Sequence, residues 1–237
     1  MHASNEYSAE WFALFLGTSP PPGLELEIAF IERQLPQPSY ERIVDLCCGT
    51  GRHARLLAAL GYDVLGIDSN RVALATARDS QQPRAQYLEL DMRRLADVPG
   101  EFDAVLNLWQ SFGHFDEATN AAILGLISSK LRSGGRFIID LYHREFFERR
   151  QGMRTFERGG QNVAESKSMV GNRLTVRLQY DTTSASDVYE WQVYTPSELL
   201  ELAARHDLRC MVACSEFREE VPPTAEQPRM QFVFERS

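Results

Sequence analysis

Short apolar runs that alternate with stretches of helical spacing constrain this chain more than any other feature. Ile43–Cys47, Asp63–Asp68, Ala85–Asp91, Phe102–Leu108 and Arg136–Tyr142 read as buried strands. Arg52–Leu60, Arg71–Asp79 and Ala118–Leu131 carry the apolar spacing of helices, with Gly61 and "RSGG" as stops. Strands joined by helices of this length form right-handed βαβ units and a parallel sheet covered on both faces. The predicted class is therefore α/β.

The flanks differ. Glu6 to Leu16 is aromatic-rich and predicted helical, and "TSPPPG", Thr18–Gly23, stops it because proline cannot continue a helix. Leu24, Ile28, Ile31 and Leu35 recur at helical spacing until Pro36 and Pro38. Near Arg149 the rhythm changes. From Met153 to Tyr194 no helix is predicted, and "NRLTVRLQYD" and "DVYEWQVY" alternate as half-exposed antiparallel strands do. This is a small β insert, bounded at 151–194. Thr195, Pro196 and Glu198 then mark a helix N-terminus running to about Arg205. "LRCMVACSEF" and "RMQFVFER" close the chain as two strands.

A length of 237 residues suits one large domain with an elaboration, and the net charge of −8 argues against a broad nucleic-acid or anionic-membrane surface. Arg144, Arg149, Arg150 and Arg154 share their stretch with Glu145 and Glu148, which reads as a solvated helix face. The four cysteines lack C-x-x-C spacing and an accompanying His cluster, so no metal site is expected. Neither a signal peptide nor a membrane span stands out, and the expectation is a reduced, soluble, cytoplasmic protein.

"VDLCCGTGRH", Val44–His53, joins the first strand to a helix. Gly49, Gly51 and Ala54 fit G-x-G-x-x-A, a pattern that a dinucleotide loop or any tight strand–helix turn satisfies. Asp45 shifts the balance, because a carboxylate beside a pyrophosphate repels it, whereas one beside a cationic ligand helps. Asp68 ends the second strand, where an acid accepts hydrogen bonds from ribose hydroxyls. Asp91 and Met92 end the third, offering a carboxylate for an exocyclic amine and a thioether for a ring face. Three acids in register imply a ligand with an adenosine part and positive charge. An NAD(P)-dependent oxidoreductase remains the alternative.

These residues, with "LGID" at 65–68, "LELDM" at 88–92, "FDAVLNLWQSFGHF" at 102–115 and "LRSGGRFIIDLY" at 131–142, resemble class I S-adenosylmethionine-dependent methyltransferases. The likeness is to the small-molecule branch that includes glycine and amino-sugar N-methyltransferases. It implies a Rossmann-like, seven-stranded, mostly parallel sheet with the last strand antiparallel. It also implies that 1–150 and 195–237 form the cofactor domain, capped by N-terminal helices, with the insert over the active site. Asp45 and the loop with Cys47, Gly49 and Gly51 would then contact the methionine part, Asp68 the ribose, Asp91 and Met92 the adenine, and Asn107 and Leu108 the amino-acid groups, with Ser69 a further cofactor-binding residue. Cys48 stands where glycine or alanine is usual, and the insert is short and divergent.

The implied reaction passes a methyl group from S-adenosyl-L-methionine to N or O of a small molecule, leaving S-adenosyl-L-homocysteine. His114 is the candidate base or orienting group and Tyr142 a second catalytic candidate, while Tyr7, Trp11, Asp140, Trp191 and Tyr194 are candidates for the acceptor pocket. A catalytically inactive S-adenosylmethionine-binding partner and an RNA or protein methyltransferase are further readings, because fold does not fix the acceptor. A homodimer is compatible with all of them.

Overall fold

Strand β1, Arg42–Leu46, is buried on both faces and organises the larger of two sheets. The computed structural model describes residue 5 and residues 7–15, 23–80, 82–183 and 186–237. Glu6, Leu16 and the prolines between them and Gly23 lie outside the described residues. Strands β2 (Asp63–Asp68), β3 (Ala85–Glu89), β4 (Phe102–Asn107) and β5 (Leu131–Tyr142) are parallel to β1. The final strand β11 (Arg229–Arg236) lies antiparallel between β5 and β10 (Leu208–Cys214), so the order is β10-β11-β5-β4-β1-β2-β3.

Alternate residues of one strand feed two cores, because side chains in a strand point to opposite faces. Val44, Leu46, Val105 and Phe137 pack with Ile123 and Ile127 of helix α5 (Glu117–Lys130) and Leu199 of α7 (Pro196–Ala204). Ile43, Val64, Leu106 and Ile138 face the other way, toward Phe30 and Ile31 of α2 (Leu24–Gln34) and Leu57 of α3 (Arg52–Ala59). Helix α4 (Arg71–Asp79) packs on β2 and β3. The chain winds outward from β1 through β2 to β3, then returns to place β4 on the other flank of β1. Such a reversal opens a crevice at the carboxyl ends of the strands.

Several boundaries depart from the sequence expectation. "RSGG" is a bulge inside β5, where the partner of β4 jumps from Leu131 to Arg136 within two residues. Helix α6, Arg144–Glu148, follows β5, and β3 gives way to a 3-10 helix, Met92–Asp97, capped by Asp91. The helix signature at Thr195 forms as read: Thr195 N–H donates to Glu198 Oε2 at 2.9 Å, and Glu198 N–H to Thr195 Oγ1 at 3.3 Å.

The insert is a four-stranded antiparallel sheet in the order β6 (Gly152–Arg158), β7 (Gln161–Val170), β8 (Arg173–Tyr180) and β9 (Ser186–Gln192). Its β8–β9 face buries Leu174, Val176, Leu178, Tyr189 and Trp191. Against that face packs the first helix α1, Ala9–Phe15, through Trp11, Leu14 and Phe15. Ser8 and Tyr180 both donate to Oδ2 of buried Asp187, at 2.7 and 2.6 Å. The two stems of the insert meet where His143 bridges Tyr194, and Arg144 N–H donates to the Tyr194 carbonyl at 3.0 Å.

Gly113 fastens the loop after β4 to the insert, accepting the N–H of Gln192 at 2.7 Å. Its φ is 100°, and a Cβ there would stand 2.2 Å from the Gln192 carbonyl oxygen. Gly113→Ala is expected to cost about 2 kcal/mol or more, through the left-handed backbone and this clash. Urea denaturation reads the effect, and an unchanged midpoint would show that the joint yields freely.

Candidate functional site

A cavity of about 1050 Å³ lies between the carboxyl edge of the parallel sheet and the insert. Its base is the turn after β1. Cys47, Gly49 and Gly51 all have positive φ, at 65°, 56° and 73°. Around Gly49 no atom stands within 4 Å of where a Cβ would be, so backbone is bare toward the cavity. Gly51 instead faces the Tyr87 side chain, whose hydroxyl a Cβ would strike at 2.6 Å, and it does not line the cavity. The Cys48 sulfur fills the space beside Gly66, where a Cβ would lie 2.9 Å from it. Burial, then the neighbouring Asp68 and Asp45, push the thiols of Cys47 and Cys48 upward, so both are neutral thiols at pH 7.

The three strand-end acids surround this turn in different states. Asp45 is 2% exposed, and its Oδ2 has no hydrogen-bond partner. Burial raises its pKa, against the pull of His53 and Arg52. Asp68 accepts from Gly49 N–H at 2.8 Å and Asn70 N–H at 2.7 Å, tying the loop to β2. Asp91 is held by the Arg93 guanidinium at 3.0 Å, which keeps its carboxyl below the usual range. Ser69, Met92 and Leu108 line the same wall.

Opposite Asp45 stands Arg52, whose buried Nη1 has no partner and whose guanidinium lies 3.8 Å from the centre of the Trp109 ring. Burial pulls its pKa down to about 10, which leaves it charged at neutral pH. Trp109 is fixed from behind. Its indole N–H donates to Glu27 at 2.9 Å, and the other contact of that carboxylate is His53 Nε2 at 2.6 Å. Trp109 and Gln110 both have positive φ, near 60°. Asp140 holds them there: its carboxylate accepts Trp109 N–H at 3.0 Å and its carbonyl accepts Gln110 N–H at 3.1 Å. Asp140 is wholly buried and also binds Gln231 at 2.8 Å and Arg229. Burial alone would lower the Arg229 pKa, and Asp140 more than reverses this.

The insert side is aromatic. Tyr7 stacks on Tyr189 at 4.8 Å and touches Trp11 at 4.4 Å, while Tyr142 meets Trp191 edge-on at 5.5 Å. His114 lies 6.0 Å from Trp191, and burial pulls its pKa down to about 4. Tyr142 is pushed up by burial and stays a phenol.

Three residues expected at the site stand elsewhere. Asn107 is fully buried and donates to the Leu46 carbonyl at 3.1 Å, Asp140 lies beneath the loop as described, and Tyr194 packs on Phe112 at 5.7 Å. All three are buried behind the cavity wall. Conversely, Arg52, Glu27, Trp109 and Arg229 were not singled out. Only Arg52 had a local signal, its place directly after Gly51. Among the described residues no three His, Cys, Asp or Glu side chains converge as metal ligands.

Residues 43–135 match the model of a methyltransferase domain. The glycine/sarcosine N-methyltransferase of Parasynechococcus marenigrum is 33% identical over 144 residues, 59% of this chain and 50% of that protein. Glycine N-methyltransferase of Homo sapiens is 28% identical over 163 residues, 61% of this chain and 54% of that protein. The chain thus spans about half the length of the curated relatives it matches. An S-adenosylmethionine-dependent methyltransferase from Clostridium acetobutylicum superposes with a TM-score of 0.83 over 96% of both chains, at 14% identity. An S-adenosylmethionine-bound amino pentose methyltransferase from Micromonospora echinaspora does so at 0.71 over 100% of both chains, at 21% identity. Residues 43–135 are thus similar to a methyltransferase domain, and the chain has the fold of these enzymes.

Asp140→Asn tests the support beneath the site. Removing the charge leaves Arg229, half-buried at the cavity wall, without its carboxylate, at an expected loss of about 1.5 to 3 kcal/mol by chemical denaturation. A loss below about 1 kcal/mol would show that Arg229 finds another partner.

Proposed function

We propose that this chain, through the domain at 43–135, transfers a methyl group from S-adenosylmethionine to the nitrogen of a small-molecule amine, releasing S-adenosylhomocysteine. One observation carries the reading. Beside the bare backbone at Gly49, a buried carboxylate oxygen of Asp45 and a buried guanidinium nitrogen of Arg52 each lack a partner. Such a pair fits a ligand end bearing both an ammonium and a carboxylate. It does not fit a pyrophosphate, which would meet Asp45 with like charge. The relatives named for glycine, sarcosine and amino pentoses give the amine class its support.

The donor supplies a methyl group already activated by its sulfonium charge, so positioning and dryness are what the protein must add. Asp45 and Arg52 would hold its amino-acid end, Asp68 and Ser69 the ribose, and Met92 with Asp91 the adenine. Tyr7, Trp11, Tyr142 and Trp191 screen the reacting end from water and leave an amine poorly hydrated, which favours its neutral, nucleophilic form. His114 is neutral at pH 7 and its Nε2 has no partner, so it can accept a hydrogen bond that orients the amine, while the proton the methylated ammonium sheds passes to water. A hydroxyl acceptor would need a far stronger base than a histidine with a pKa of about 4, which favours N over O. A covered cavity on a chain of net charge −8 favours a small acceptor over nucleic acid. We take the protein to act in the cytoplasm, alone or as a homodimer.

Calorimetry with S-adenosylhomocysteine and NAD tests the donor. Binding of the first is expected, weakened about tenfold or more by Asp45→Asn and by Asp68→Ala. Binding of NAD alone would overturn the proposal.

His114 supplies a pH test. Its folded pKa is below the unfolded value of 6.5, so its share of stability is present above pH 6.5 and is lost as pH falls toward 4. His114→Asn should remove that part of the acid sensitivity, and the wild-type rate should show no acid limb from this group near 6.5. A stability difference independent of pH between the two proteins would contradict this assignment.

A further inference from the structure

The inner face of the insert sheet is apolar on β8 and β9 but charged on β6 and β7. Alternation along these strands turns Arg154 and Arg158 of β6, and Glu165 and Lys167 of β7, to the side that lines the cavity. Inward charges on an edge strand are a common guard against strand pairing, and that accounts for β6. It does not account for β7, which is paired on both sides and whose Glu165 and Lys167 side chains are only 11% and 21% exposed.

The charges do not cancel. Lys167 and Arg154 share one oxygen of Glu165, with Lys167 Nζ at 2.8 Å. Their grip holds the Glu165 carboxyl below the usual range despite its burial. Arg158 donates to the Leu14 carbonyl at 2.8 Å, lies 4.7 Å from the Phe15 ring, and pairs with no carboxylate among the described residues. The rim is thus positive by two, on a chain of net charge −8. It is also near the reacting end. The Phe147 ring lies 4.8 Å from that of Tyr142 and 5.7 Å from Lys167 Nζ, within the span of one small molecule.

We infer that the methyl acceptor carries an anionic oxygen group, a carboxylate or a phosphate, seated on Arg154, Arg158 and Lys167 while its amine lies among the aromatic rings. This rests on the methyltransferase reading and names the acceptor class for the same cavity. Glu165 spaces the cations and sets how strongly they attract; a purely structural ion-pair cluster would need it as much as it needs them.

The test uses paired probes that differ only in the anion: phosphoethanolamine with ethanolamine, glucosamine 6-phosphate with glucosamine, and β-alanine with β-alaninamide. Each is titrated calorimetrically into the full chain, with and without saturating S-adenosylhomocysteine. The anionic member of at least one pair is expected to bind about tenfold tighter than its partner. The phosphate and carboxylate pairs tell which anion is preferred. Arg154→Gln with Arg158→Gln, and separately Lys167→Gln, should erase the preference while S-adenosylhomocysteine still binds, which shows the variants fold. Glu165→Gln should strengthen it, whereas a structural cluster predicts weakening. Equal binding within every pair, no binding by any probe, or a preference that survives all three cation substitutions would overturn the inference. Failure of S-adenosylhomocysteine to bind the unmodified chain would instead count against the donor, and the titrations without it would still decide the anion.

Discussion

Everything at the mouth of the parallel sheet leans on one buried carboxylate. Asp140 sits near the end of β5 and receives Arg229 and Gln231 from β11 and the Trp109 amide from the loop after β4. It joins three segments that are far apart in the chain. A charge this deep is tolerable only because its partners saturate it. The cost of desolvating Asp140 and Arg229 is offset by a rigid loop, in which a bulky tryptophan keeps a left-handed conformation that it would not adopt alone. Trp109 in turn offers its face to Arg52 and its indole N–H to Glu27. The chain of support runs from β11 through Asp140 and Trp109 to the cation that faces Asp45.

This gives the cavity two kinds of polar group. Some are spent on the fold, Asp68 on the glycine turn and Asp91 on Arg93, as is Glu27 behind the wall on His53 and Trp109. Others are buried and left without a partner, as Asp45, Arg52 and His114 are at particular atoms. Desolvated groups of the second kind are costly to keep and are what a ligand can exploit. The separation also explains why the pair of cysteines in the turn is chemically quiet. Surrounded by carboxylates and removed from water, they have little tendency to ionise.

What the sequence made legible was local. Apolar runs marked the five parallel strands, and glycines with a following helix marked the turn. Thr195, Pro196 and Glu198 marked a helix start that forms as read. The β insert was legible as a change of rhythm, although only its last two strands alternate cleanly enough to name. The losses were all non-local. "RSGG" looks like a turn, and becomes a bulge because β4 pairs on both sides of it. Asp140 looked like a pocket residue because it ends a strand, but its partner Arg229 lies 89 residues away. The Glu27–Trp109 contact spans 82 residues and leaves no periodic trace. Strand-end position tells which edge a residue occupies and not whether it turns inward or toward the opening.

The bridge between His143 and Tyr194 has an evolutionary reading. It brings the start and end of the roof to one point, so the roof is a closed excursion from the main sheet. Exchanging or lengthening such an excursion alters loop-closure entropy only slightly and leaves the strand order beneath untouched. The turns at the sheet edge and the roof above them can therefore drift at separate rates in descendants of this chain, the first constrained by the strand order, the second rewritten in one contiguous block of coding sequence.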